Sequence, residues 1–285
     1  MKRYFLQGAA LLLSAQLFFS CDEINNILPE ELTSAEIVDG LKTALVAGAD
    51  SSTRVLMAEG GYYNNLLTRI PLPDEVNTIL DNAKVIDNIV ANIPGISVLA
   101  PNLTKNLTGE LQSKVTDLVK SINNSAGDAA KDALPIFQNA IADLSIADGL
   151  SILQGKSLLK AENFDSLAAT NYLKSQTFTN LTDLYAPKMN AALGTPFAGN
   201  LSATEIWSSI TDTYNGVVNN SIVQTAAKAA GHSFTPVTTN LGEFVTAKAL
   251  DGLFLKVGEQ EKKIRKNPLE YASDIIQKVF GYVFK

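Results

Sequence analysis

The sequence predicts an all-α fold, a single multi-helix domain that follows a cleaved signal peptide. Apolar residues recur at helical spacing along most of the chain, as on the face that carries Ile37, Leu41, Leu45 and Leu56. Residues that favour helix starts stand directly before several of these segments. Segments that alternate apolar and polar residues, as strands do, are short and few. We therefore expect about nine to twelve helices within residues 33–285.

Helix starts and breaks divide the first half of the domain. Thr33 and Glu36 have the spacing of a capping box, which predicts that the first helix begins there. Pro71 and Pro73 predict an extended link after it, because proline lacks a backbone donor and restricts its neighbours. Pro135 stands near the start of another apolar segment, and we expect a helix to begin close to it.

Similar start and stop signals divide the second half of the domain. Ser202 and Glu205 form a second predicted capping box. Asn240 opens a long amphipathic segment that we expect to run to about residue 266. Pro268 then ends this helix and begins a last one.

The first residues have the pattern of an export signal. Lys2 and Arg3 form a positive start, and a mostly apolar stretch follows to residue 19. This stretch is shorter than the about 20 apolar residues that cross a membrane. It fits a signal peptide, residues 1–20, that is removed from the mature protein.

Cys21 follows Ser20 at the end of this signal and is the single cysteine of the chain. A small residue before a cysteine at this place resembles the processing site of bacterial lipoproteins. We predict that Cys21 is lipidated and that the lipid bilayer is a partner of the protein. Stable attachment to a bilayer needs more than one acyl chain. The alternative is an ordinary signal peptide with a chance cysteine. Residues 21–32 are predicted to be a tether, and residues 33–285 the all-α domain.

Composition excludes several classes of function. The chain carries a net charge of −6, with 46% hydrophobic and 18% charged residues, so the domain is globular and acidic. Its arginines after the signal are Arg54, Arg69 and Arg265, and they are not clustered, which argues against a nucleic-acid partner. A single cysteine and a single histidine, His232, make a zinc site improbable. We predict no cofactor, no metal ligand and no catalytic residue.

Seven stretches along the chain form a recognisable pattern when they are taken in order. They are IPLP at 70–73, LPIFQNAI at 134–141, LSIADG at 144–149, TDTYN at 211–215, VTAKALDGLF at 245–254, IRKNP at 264–268 and VFG at 279–281. In this order they resemble the bacterial family catalogued as domain of unknown function 4197, and the resemblance covers about residues 33–281. It implies an exported, often lipidated, helical protein, and it implies no established activity.

The tripeptide Asp-Gly-Leu occurs three times, at 39–41, 148–150 and 251–253. A glycine inside a helix costs about 1 kcal/mol relative to alanine, and close approach between helices is the simplest compensation. The alternative is that the three carboxylates converge on a cation or a polar ligand. The more ordinary interpretation places Asp148 in the first turn of a helix and the other two in local ion pairs.

Asp251 is the strongest candidate for a functional carboxylate. Apolar residues flank it, so we expect it to be partly buried, and a buried carboxylate needs a partner. The candidate partners are Lys248, Arg69, Arg265 and Tyr214, and together with Asp251 they are the predicted ligand-binding residues. A structural ion pair is the alternative.

These observations favour a lipid-anchored binding or interaction module of the bacterial cell envelope, facing the periplasm or the cell surface, with an envelope protein or a small ligand as partner. A second hypothesis is an envelope hydrolase that uses Asp251 and another carboxylate. A third is a carrier of an apolar ligand between helices. The Tyr62-Tyr63 pair after two glycines either lines a groove or covers the core.

Overall fold

Helices account for nearly all the regular structure in the computed structural model, which describes residues 32–99, 103, 106–156, 164–196 and 201–283. Within these residues the only strand-like pairings are two isolated bridges, so the all-α prediction is confirmed. The helices are α1 (Ser34–Met57), α2 (Glu75–Ala91), α3 (Ile96–Leu99), α4 (Leu107–Asp143), α5 (Gly149–Leu153), α6 (Ala168–Leu193), α7 (Ala203–Val218), α8 (Ser221–Ala229), α9 (Leu241–Lys266) and α10 (Asp274–Val283).

Four long helices form the centre of the domain. Helices α1 and α6 each pack against both α4 and α9, while the diagonal pairs α1–α6 and α4–α9 touch little. This is the neighbour pattern of a four-helix bundle, but its connections are long and contain the shorter helices. Helices α2 and α7 pack on α4, α8 packs on α2, and α10 packs on α1. None of the helices in the described residues has the length and apolar character needed to cross a bilayer.

The apolar face predicted for α1 is the face that the bundle buries. Ile37, Leu41, Leu45 and Leu56 are all buried, and burial of each such side chain contributes about 1.5–3 kcal/mol. In the same core the rings of Phe137 and Phe254 lie 5.2 Å apart.

Both predicted capping boxes are present. The Thr33 hydroxyl accepts from the backbone N–H of Glu36 at 3.2 Å, and the Glu36 carboxylate accepts from the backbone N–H of Thr33 at 2.9 Å. Ser202 and Glu205 make the same pair of bonds at 3.2 and 2.7 Å. The Asn240 side chain caps α9, whose predicted bounds are confirmed. Side chains close in sequence therefore define three of the helix starts.

Two predictions at proline residues are wrong. No helix begins near Pro135, because α4 runs from Leu107 to Asp143 and passes through it. The proline is exposed, and the buried face of α4 continues past it, so packing outweighs the lost hydrogen bond. Pro268 begins a short 3-10 helix, Pro268–Glu270, and the last helix starts only at Asp274.

The Asp-Gly-Leu glycines lie where other residues approach closely. A Cβ on Gly40 would lie 2.7 Å from Val279 of α10, and one on Gly149 would lie 3.1 Å from Ile37 of α1. Close helix approach is therefore confirmed at these two positions. Asp148 is the N-cap of α5 and makes no side-chain cap bond, so its predicted place inside the first turn is wrong.

Glu261 is a buried carboxylate on α9 that caps α6. Its oxygens accept from the backbone N–H of Ala169 at 3.0 Å and of Thr170 at 2.8 Å, and from the Thr170 hydroxyl at 2.6 Å. The N-cap residue of α6, Leu167, has no side-chain oxygen to do this. A negative charge is favourable at a helix start, where backbone donors are unpaired.

Arg265, one turn further along α9, is buried beside Glu261. Its Nε and Nη2 donate to Glu261 Oε1 at 2.9 and 2.7 Å. Nη1 donates to the carbonyl of Leu153 at 2.6 Å, and Nη2 also donates to that of Ile152 at 2.9 Å. The two side chains thus connect α9 to the end of α5 and to the start of α6.

Glu36 connects the start of α1 to α10. Its carboxylate accepts from the Lys278 ammonium at 2.7 Å, in addition to the bonds within the capping box. These bonds lower the pKa of Glu36 from 4.5 to about 2. The bond from Lys278 has the largest effect, and the bonds from Thr33 add to it.

We expect Glu36→Gln to lower the free energy of unfolding near neutral pH. Because the folded pKa lies below the ordinary value, the stabilisation is complete above about pH 4.5 and disappears as the pH falls toward 2. Urea unfolding of both proteins across this range measures the difference. Lys278→Met is the control, since it removes the hydrogen bond that lowers the pKa of Glu36 most, and it should raise that pKa. A stability difference that does not change with pH would contradict this assignment.

Candidate functional site

The chain between α1 and α2 forms the best candidate site. We call residues 58–70 the α1–α2 loop. A cleft of about 290 Å³ lies between this loop and the middle of α4. Its lining residues are Met57, Ala58, Glu59, Gly60, Gly61, Asn123, Asn124, Gly127 and Asp128.

Two glycines allow the chain to turn sharply after α1. Ala58 is extended and ends the helix, and Gly60 has a φ of 71° that favours glycine. A Cβ on Gly61 would lie 2.5 Å from the carbonyl oxygens of both Val55 and Leu56. Only glycine fits this close to the end of α1, so the Gly-Gly pair fixes the wall of the cleft.

Tyr62 anchors the loop in the core. Its side chain is fully buried, and its hydroxyl donates to the carbonyl of Ala249 on α9 at 2.9 Å. Burial raises the pKa of Tyr62, so it stays a neutral donor. A Cβ on Gly252 would lie 2.9 Å from the Tyr62 ring, and this contact explains the third Asp-Gly-Leu glycine. Tyr62, the first residue of the tyrosine pair, therefore covers the core and does not line a groove.

Asn123 of α4 holds the other end of the loop. Its side-chain oxygen accepts from the backbone N–H of Ile70 at 2.8 Å, and its amide nitrogen donates to the carbonyl of Ile70 at 2.9 Å. The same nitrogen donates to the carbonyl of Val119 at 2.8 Å. A buried amide thus satisfies both backbone groups of Ile70, as a strand neighbour would.

Two leucines stand out from the surface between these anchors. Leu66 is 82% exposed and Leu67 is 73% exposed. The Asn65 side chain accepts from the backbone N–H of Leu67 at 3.0 Å, and the Asn65 carbonyl accepts from that of Arg69 at 2.7 Å. The leucines are therefore displayed on a hydrogen-bonded turn, a feature typical of contact surfaces.

Both charged residues that line the cleft are acidic. Glu59 and Asp128 line it, and the C-terminal end of α1 adds about half a negative charge. The two arginines of this region already have partners. Arg54 pairs with Asp50 at 2.9 Å, and Arg69 donates to the carbonyl of Tyr63 at 2.6 Å with its guanidinium 4.4 Å from the Tyr63 ring centre.

Asp251 has a different partner from those expected. Its carboxylate lies 2.7 Å from the ammonium of Lys174 on α6, and its side chain is 45% exposed. The Lys174 ammonium also lies 5.2 Å from the Phe178 ring centre and 5.7 Å from that of Phe254. The prediction that one of the four candidates pairs with Asp251 is wrong, because the packing of α6 against α9 decides the partner.

The other candidate residues are held in separate places. The Lys248 ammonium lies 5.9 Å from the Phe244 ring centre, and Arg265 is engaged with Glu261 as described above. The Tyr214 hydroxyl accepts from the side-chain amide of Asn82 at 2.7 Å. Of the predicted ligand-binding residues, only Arg69 belongs to the α1–α2 loop.

Cys21, the predicted signal peptide and nearly all of the predicted tether lie outside the described residues. Among the residues that are described, no group of three or more acidic, histidine or cysteine side chains is placed to hold a metal ion. A second, more open groove of about 420 Å³ lies between the end of α2 and α8. Its lining is mostly apolar and consists of Ile93, Ser221, Ile222, Thr225, Ala226 and Ala229.

Comparison with models of protein families shows which family the chain belongs to. The model of the family described as protein of unknown function (DUF4197) matches residues 31–93 and 94–281. The chain belongs to the DUF4197 family. The resemblance inferred from the sequence motifs is thereby confirmed, and the DUF4197 match includes the α1–α2 loop and the cleft. Neither a curated protein nor a solved structure matches the chain.

We expect Asn123→Ala to loosen the α1–α2 loop. Removing the amide leaves the backbone N–H and carbonyl of Ile70 unpaired, which costs about 1–3 kcal/mol of stability. Hydrogen exchange at the Ile70 amide should become faster by a larger factor than exchange at core amides of α9. Asn124→Ala, one residue away and less buried, is the matched control. Equal exchange at Ile70 in the two variants would contradict the role given to Asn123.

Proposed function

We propose that this protein is a bacterial envelope lipoprotein, anchored through Cys21, whose helical domain is a binding module that contacts a partner protein through the α1–α2 loop. The N-terminal sequence supports the anchor, and the exposed Leu66–Leu67 pair is the observation that carries the binding role. The two leucines are adjacent and both mostly exposed, and contiguous exposed apolar surface marks interaction sites.

The position of the loop along α1 supports this assignment. Helix α1 has 24 residues, so its axis is about 36 Å long. The tether joins its first turn, and the α1–α2 loop follows its last. Along α1, the loop is thus at the end opposite to the one that continues from the predicted tether.

The way the loop is held also favours binding. Tyr62, Asn65 and Asn123 fix its backbone from both sides. A surface that is already ordered loses less conformational entropy when a partner binds. For the hydrolase hypothesis, by contrast, the Asp251 carboxylate is occupied by Lys174, so we do not put that hypothesis forward.

Two measurements in the native host test the proposal. Metabolic labelling with a fatty-acid analogue should label the protein, and Cys21→Ala should abolish the label. A photo-crosslinking amino acid at Leu66 should give one discrete adduct, which is lost when Leu67 is changed to Asp. The same amino acid at Thr204, an exposed position on α7, is the control. Equal labelling of the Cys21 variant would refute the anchor, and identical adducts from both positions would refute the binding surface.

A further inference from the structure

We propose that the cleft beside the α1–α2 loop binds a lysine side chain of the partner protein, and that apolar residues next to this lysine pack on Met57, Leu66 and Leu67. This inference rests on the proposed binding function and specifies the chemistry of the partner. Its basis is the charge, the size and the rim of the cleft.

The charge of the cleft selects a cation. Glu59 and Asp128 come from opposite walls, the loop and α4, and both line the cleft. The last carbonyls of α1 lie at the same place, since a Cβ on Gly127 would be 3.4 Å from the Leu56 oxygen. Carboxylates and a helix C-terminus both favour positive charge. Arg54 and Arg69 bind elsewhere, to Asp50 and Tyr63.

The size of the cleft suits one side chain. Sites for small molecules usually enclose about 300–1,000 Å³, and this cleft, with about 290 Å³, lies at the lower end of that range. Gly60, Gly61 and Gly127 line it, and the absence of side chains at these positions leaves space for an entering side chain. An ammonium group has three donors, which fits a site with one carboxylate from the loop and one from α4.

Part of the rim of the cleft is apolar. Met57 lines the cleft and is 50% exposed, and Leu66 and Leu67 protrude from the same loop. A lysine side chain has an apolar stem below its charged end. The stem, and the partner residues next to the lysine, pack on this apolar surface while the ammonium reaches the carboxylates.

A membrane lipid fits this site less well than a protein does. In an aminophospholipid headgroup the ammonium stands next to a phosphate. Glu59 and Asp128 would repel that phosphate, whereas a lysine carries no anion. The proposal therefore commits to a protein segment, and lipid binding becomes an outcome of the test.

The test uses the full chain, purified in detergent and labelled with 15N, and the peptide acetyl-Leu-Lys-Leu-amide as probe. We expect the amide signals of Gly60, Gly61 and Gly127 to shift in a saturable way. Glu59→Gln and Asp128→Asn should each weaken binding about two- to fivefold, the range expected of an exposed ion pair. Asp117→Asn, an exposed acid on the same helix, is the matched control and should leave affinity unchanged.

The peptide with glutamine in place of lysine separates charge from apolar contact, and should bind more weakly than the lysine peptide. The proposal is overturned if both peptides bind equally, if the three glycine signals do not move, or if they respond only to bilayer discs containing phosphatidylethanolamine. It is also overturned if the Glu59 and Asp128 variants behave like Asp117→Asn. Any of these results leaves labelling at Cys21 and crosslinking at Leu66 unaffected, so the proposed function is judged separately.

Discussion

Two opposite charges, almost completely removed from water, hold the bundle together at one end. Glu261 and Arg265 are each only 4% exposed. Burial of charges costs several kcal/mol per ion, and it is tolerated only when every donor and acceptor is well used. Here the carboxylate takes the place of a missing cap on α6, and the guanidinium binds the last carbonyls of α5.

This pair sets the position of α9 relative to α6. Near it, a Cβ on Gly258 would lie 2.7 Å from the Leu167 side chain, so α9 approaches the start of α6 closely. Further along, the same packing places Asp251 beside Lys174 and leaves space at Gly252 for Tyr62. The α1–α2 loop therefore depends on the packing that the buried pair organises.

The same physical device recurs elsewhere in the fold. Asp87 of α2 accepts from the backbone N–H groups of Leu107 and Thr108 at 2.8 and 3.0 Å, at the start of α4. Asn123 of α4 binds both backbone groups of Ile70. In each case a side chain from a neighbouring helix satisfies a backbone that its own segment leaves unpaired. Such bonds give the loop its fixed shape and connect the fold to the proposed binding surface.

The sequence was sufficient for features that depend on neighbours a few residues away. Both capping boxes, the bounds of α9 and the buried face of α1 follow from local spacing. The partner of Asp251, the cap supplied by Glu261 and the exposure of Leu66 do not, because each depends on which helices meet. The helix start expected at Pro135 is absent for the same reason, because packing of the long α4 outweighs the local effect of the proline. An acid on the apolar face of a predicted helix with an arginine one turn later, as at 261 and 265, is the sequence signal for such a buried pair.

The organising role of the buried pair is tested most directly by a double-mutant cycle on Glu261 and Arg265, with the free energy of unfolding measured in urea. Arg265→Met alone should cost about 3–5 kcal/mol, because it leaves a buried carboxylate without its counter-charge. Glu261→Gln together with Arg265→Met should cost clearly less than the sum of the two single changes. If Arg265→Met costs no more than the same change at the exposed neighbour Lys266, and the two single effects add, the buried pair does not have the organising role described here.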